Sequence, residues 1–147
     1  MHTHPVLTGW VFVFVLTMAL YVFTLAPGAV WQDQGDYQVQ AAHCNLTRPG
    51  DVVRVHPLYI VTAHWLGRLT PLDYAYAANL TSAVFGALTI ATVFAFIFLL
   101  TWRYMPAFLG ASVLAVSHTF WFVSVQAQTY TMSNAAVIAG LLFVFLY

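Results

Sequence analysis

Residues 75–100 run from end to end without a charged side chain, and that run limits what this chain can fold into. About 20 apolar residues in a helix cross the ~30 Å hydrocarbon core of a bilayer. Three further stretches approach the same length: 7–25, 106–125 and 131–147. Pro27-Gly28 closes the first of them as a helix stop. The expected fold is therefore all-α, a polytopic transmembrane helix bundle of about four spans. Composition agrees: 62% of the residues are hydrophobic and 5% are charged, against roughly a quarter charged in a soluble domain. Four Asp and four Arg, with no Glu or Lys, cannot cover a water-soluble surface, so the remaining surface faces lipid.

Several classes fall away on the same grounds. Net charge is zero, which gives no basic footprint for nucleic acid. Cys44 is the only cysteine, so neither an internal disulfide nor a cysteine metal site can form. The N-terminus has His2 and His4 but no Lys or Arg before its apolar run. That run exceeds the roughly 7–15 residues of a signal-peptide core, so it reads as a retained first helix. A small transporter would place ionisable groups inside its spans; these spans contain no Asp, Glu, Lys or Arg. The last span reaches residue 147 still apolar, without polar flanks. Residues 1–147 are thus expected to be a single transmembrane domain that forms the N-terminal part of a longer protein.

The one long polar segment is the loop 27–73, which holds Asp33, Asp36, Arg48, Asp51, Arg54 and Arg68. The other links, 102–104 and 126–130, are short and make neighbouring spans antiparallel. Asp33-Gln34-Gly35-Asp36 reads as a helix start, with Asp33 as N-cap and an acidic residue three positions on. The helix would run to about Cys44, and residues 45–51, with Pro49-Gly50, read as a turn. His56-Pro57 opens a second helix with proline at its first position. Leu58, Thr62, Trp65, Leu66 and Leu69 share one face of it, and His64 and Arg68 another. That pattern suits a helix lying in the membrane interface.

Asp33 and Asp36 carry the strongest chemical signal. Two carboxylates three apart on a helix face the same way and can share a proton or a divalent cation, and one can act as general base towards a hydroxyl. The same residues also make an ordinary capping box. Arg48, Arg54 and Arg68 can grip phosphate by paired guanidinium bonds, or pair with Asp51 and Asp73, or meet lipid headgroups. His43, His56, His64 and His118 are scattered; no pair has metal-ligand spacing, and no transition-metal site is expected. Asn79, Ser82, Gly86 and Thr89 recur at helical spacing, a small and polar stripe that lets spans approach closely. Asn79, near the loop end of its span, is the member of this stripe that could face a polar cavity. Asn45-Leu46-Thr47 and Asn79-Leu80-Thr81 match glycosylation acceptors, a pattern common by chance.

Four segments in order also resemble a known family. They are Ala26-Pro27-Gly28 followed by Trp31-Gln32-Asp33-Gln34-Gly35-Asp36-Tyr37; His56-Pro57-Leu58-Tyr59; Asn79 to Leu88; and Phe120-Trp121 with Gln126-Ala127-Gln128-Thr129-Tyr130. Together they resemble a bacterial family of uncharacterised membrane proteins related to animal transmembrane protein O-mannosyltransferases and, more distantly, to the GT-C glycosyltransferases. The resemblance implies a hexosyltransferase in the bacterial inner membrane, multi-pass, with the loop 27–73 on the periplasmic or extracellular side, although the arginine count alone would put that loop in the cytoplasm. It implies a polyprenyl-phosphate sugar as donor and a protein or glycan as acceptor. Asp33 and Asp36 become the catalytic candidates. His56, Tyr59, Arg54, Arg68, Asn79, Gln128 and Tyr130 become the substrate-binding ones. Gln128 stands where the family usually has Glu, which leaves open a non-catalytic, lipid-linked-sugar binding or assembly protein.

Overall fold

The computed structural model describes residues 4–46 and 56–147. Arg48, Asp51, Arg54 and most of the turn expected over 45–51 lie outside the described residues. The chain folds as α1 (His4–Phe23), α2 (Asp33–His43), α3 (Pro57–Leu69), α4 (Tyr74–Thr101), α5 (Tyr104–Val116), α6 (His118–Ser124) and α7 (Tyr130–Leu146). No strand occurs among the described residues.

The long uncharged run becomes α4, and every other element packs on it. Its start is fixed by Asp73, whose carboxylate accepts from the Ala75 N–H at 2.8 Å, satisfying one of the orphan donors of the first turn. Its end is fixed by Trp102 in a left-handed conformation (φ 53°). Between them, small side chains let neighbouring backbones come close. Ser82, Gly86 and Thr89 are all buried, so the small and polar stripe is a packing seam against α6 and α7. A methyl group on Gly86 would lie 2.5 Å from Ser124 Oγ. On another side, α1 packs Val13 and Tyr21 into a core with Ile90, Phe94 and Phe98, which Ala107 and Ala111 of α5 complete.

The expected first and second spans are α1 and α4, the two helices among the described residues that are long and apolar enough to cross a membrane. The third is not one continuous helix. Residues 106–125 break at Ser117, which is extended (φ −61°, ψ 132°), and α5 and α6 meet at 67°. The Ser117 hydroxyl donates to the Leu114 carbonyl at 2.8 Å, offering the backbone an alternative to the helical ladder. Counting the bent pair as one span gives three. The fourth stretch forms α7, an apolar helix of 17 residues.

In the loop, α2 and α3 form over the expected stretches, and α3 opens at Pro57. Gln32, not Asp33, occupies the N-cap position of α2, with φ 63° and no side-chain cap. Tyr59, Ile60, Ala63 and Gly67 turn inward, while Leu58, Trp65 and Leu69 stay exposed. Arg68 lies over the Trp65 ring at 5.7 Å, so its charge rides at the edge of that apolar face.

Candidate functional site

Among the described residues, polar side chains of α2, α3 and α4 meet near the start of α4. Pro27 has no N–H and ends any helical continuation of α1, which leaves the carbonyls of Ala26 and Gly28 without helical donors. Two buried side-chain amides supply them. Asn79 Nδ2 donates to Ala26 O at 2.9 Å and Gly28 O at 3.0 Å. Gln38 Nε2 donates to Asn79 Oδ1 at 2.9 Å and approaches Gly28 O at 3.2 Å, while Gln38 Oε1 accepts from the Val30 N–H at 3.0 Å. Ala26 N–H donates in turn to Val125 O at 3.0 Å, tying the same segment to the end of α6.

A second buried cluster lies beside the first. Tyr59 OH reaches Ala78 O at 2.7 Å and Ser82 Oγ at 2.9 Å. Ser82 Oγ accepts from the Gln128 N–H at 2.8 Å and lies 3.0 Å from the Gln128 carbonyl. Burial pushes the Tyr59 phenol well above its ordinary range, against the opposing pull of the Ser82 hydrogen bond, so it is a neutral donor at neutral pH. One α4 turn thus holds α3 and the α6–α7 link together, which positions Gln128.

Asp33 and Asp36 open α2 above this platform. Asp33 is exposed and Asp36 half-buried. Both sit in the first turn of the helix. Gly35 between them is required by space: a Cβ there would lie 2.6 Å from the Val30 carbonyl oxygen. Tyr37, next on the helix, meets the His56 ring edge-on at 5.7 Å and the Tyr59 ring at 6.1 Å. His56 also lines a cleft of about 270 Å³ between the start of α3 and the first turns of α7, with Leu58, Thr129, Met132 and Ser133 on its walls.

Of the residues expected from the sequence, His56, Tyr59 and Asn79 come together with the α2 start, and Gln128 joins them through its backbone. Tyr130 is exposed at the start of α7 and Arg68 is exposed on α3; Arg54 is outside the described residues. His64 turns inward, its Nδ1 at 2.8 Å from Ala41 O and its ring stacked on Tyr74. Among the described residues no three His, Cys, Asp or Glu side chains converge as a metal set. Sequence reasoning missed Gln38, Thr129, Met132 and Ser133. Only Gln38 had a signal, because the carbonyls around Pro27-Gly28 need donors from somewhere.

These features define a helical membrane protein whose polar loop is folded back onto one end of a central span. Residues 33–147 match the family described as the protein O-mannosyl-transferase TMEM260 N-terminal domain, and the chain belongs to that family. The mouse protein O-mannosyl-transferase TMEM260 is 28% identical over 132 residues, which cover 89% of this chain and 18% of the mouse protein. The chain therefore spans less than a fifth of that relative's length. No solved structure matches it.

Proposed function

We propose that this chain is the N-terminal membrane part of a GT-C-type glycosyltransferase that moves a hexose from a polyprenyl-phosphate donor to a protein or glycan acceptor. The observation that carries this reading is the family match, which begins at Asp33 and runs through α2, α3 and the α6–α7 link, the elements gathered at the polar end. In the proposed reaction the acceptor hydroxyl oxygen attacks the anomeric carbon of the sugar. Its proton passes to the Asp33 carboxylate, and the bond from that carbon to the phosphate oxygen breaks, the lipid phosphate leaving with the electron pair. Asp36 supports Asp33 from the same turn. Arg68, Arg54 and His56 hold the donor phosphate; Tyr59, Asn79, Gln128 and Tyr130 shape the site around it. A lipid phosphate is a stable leaving group, so positioning and charge stabilisation do most of the work. A bacterial inner-membrane location with the loop 27–73 on the outer side is part of the same proposal.

The test is Asp33→Asn in the full-length protein, assayed for sugar transfer in membranes. Loss of a general base lowers the rate by roughly 10²–10⁴-fold; undiminished transfer rules the assignment out. A second reading, a non-catalytic binder of lipid-linked sugar, is favoured by Gln128, which replaces an acidic residue of the resembled pattern and is buried. Under that reading the native protein binds donor without transferring it, and Gln128→Glu restores transfer.

A further inference from the structure

We infer that Gln38, acting with Asn79, is the positioning residue that sets where the Asp33 carboxylate stands. The inference rests on the proposed role of Asp33. That side chain is exposed on the first turn of α2, so its place depends on the backbone that leads into it. Between the end of α1 and the start of α2 this backbone has no regular structure. Its path is fixed instead by hydrogen bonds at Ala26, Gly28 and Val30.

Gln38 is the only one of these partners that lies on the same helix as Asp33. Its amide oxygen holds Val30 and its amide nitrogen holds Asn79, whose own amide grips the carbonyls of Ala26 and Gly28. Nε2 also lies 3.4 Å from Ala75 O, so the clamp is anchored in the first turn of α4. The orientation is determined on both sides: Asn79 must present its nitrogen to two carbonyls, which leaves only its oxygen for Gln38. The Val30 carbonyl, held in the same segment, sits against Gly35, and Gln32 takes a positive φ of 63° before the helix begins. The clamp thus joins the bundle, the entry loop and the α2 start into one unit, with the carboxylate pair at its edge.

Two substitutions separate positioning from general stability. Gln38→Glu keeps shape and the acceptor for Val30 but loses the Nε2 donors; Gln38→Met keeps length and loses both functions. In the full-length protein each should lower kcat at least tenfold, as expected for about 1 Å of misplacement, with KM for the lipid-linked donor nearly unchanged. Thr89→Ala, which removes bonds deeper on α4, is the control for lost stability and should leave kcat unchanged. A direct readout uses Asp33→Cys in a Cys44→Ala background: the rate of thiol labelling at position 33 should change several-fold when either Gln38 substitution is added. An unaltered labelling rate overturns the inference, whatever happens to transfer. So does a kcat loss that Thr89→Ala reproduces at equal loss of Tm. If Asp33→Asn keeps full transfer while labelling responds to Gln38, the catalytic reading fails and the clamp stands.

Discussion

At Gly86 α4 packs tightly against Ser124 and Tyr21, and replacing it with alanine gives a sharp test of the packing. The added Cβ would lie 2.5 Å from Ser124 Oγ, 2.9 Å from Ser124 Cβ and 3.1 Å from Tyr21 Cε2. Rotating the Ser124 hydroxyl relieves the first contact, at the expense of its 2.7 Å bond to the Phe120 carbonyl. Rotation cannot move Ser124 Cβ. Carbon atoms settle at about 3.5–4.0 Å, so α6 must retreat by roughly 0.6–1 Å. Val125 follows Ser124, and its carbonyl accepts from the Ala26 N–H at 3.0 Å. A retreat of that size stretches the bond beyond useful hydrogen-bonding range. Overpacking of this kind costs about 1–3 kcal/mol. Gly140→Ala is the matched control, since nothing lies within 4 Å of a Cβ there, and it should be neutral or gain up to about 1 kcal/mol of helix propensity. Equilibrium unfolding in lipid bicelles measures both. If Gly86→Ala is as stable as Gly140→Ala, the close approach of α4 and α6 is not real.

Other outcomes follow from single features. Tyr59→Phe removes a hydroxyl bonded to Ala78 and Ser82 and should cost about 1–2 kcal/mol, read from the same unfolding curves. Because burial raises the Tyr59 pKa above its ordinary 10.0, the native state favours the neutral phenol. That stability is complete below pH 10 and declines as the pH rises above it, and Tyr59→Phe should flatten this alkaline decline relative to the native chain. Gly35→Ala drives a methyl group into the Val30 carbonyl and should lower sugar transfer in the full-length protein more than it lowers Tm; full transfer would show that the α2 start tolerates displacement.

Much of this arrangement was legible because the relevant signals are local. The absence of charge marked α1 and α4, Pro57 marked the start of α3, and the small-residue stripe on α4 marked its packing seam. The break at Ser117 was not legible. The stretch 106–125 has no proline after its first residue and reads as continuous. The bend needs the Ser117 hydroxyl to turn back on Leu114, and it needs α6 to be held elsewhere, by Trp121 Nε1 on Thr24 Oγ1 at 3.0 Å and by Val125 on Ala26. Those partners are about a hundred residues away in sequence. The site divides in the same way. The carboxylate pair and His56 announce themselves by residue type. Gln38 looks like any polar residue of a short surface helix until the fold shows which carbonyls depend on it. Asn79 was noticed for its polarity, but its amide is spent on the backbone of the entry loop rather than left open to a cavity.

The length of α4 has one more consequence. Its 28 residues make a rod of about 42 Å, longer than the ~30 Å hydrocarbon layer and close to the 40–45 Å of a whole bilayer with its headgroups. An upright α4 with Trp102-Arg103 near the opposite surface lifts the Asn79 and Ser82 turns to headgroup depth, and a tilted one lowers them. Membrane thickness, acting through that tilt, then sets how far the carboxylates of α2 stand from the water, so lipid composition alone can retune the height of the site without a change in any residue.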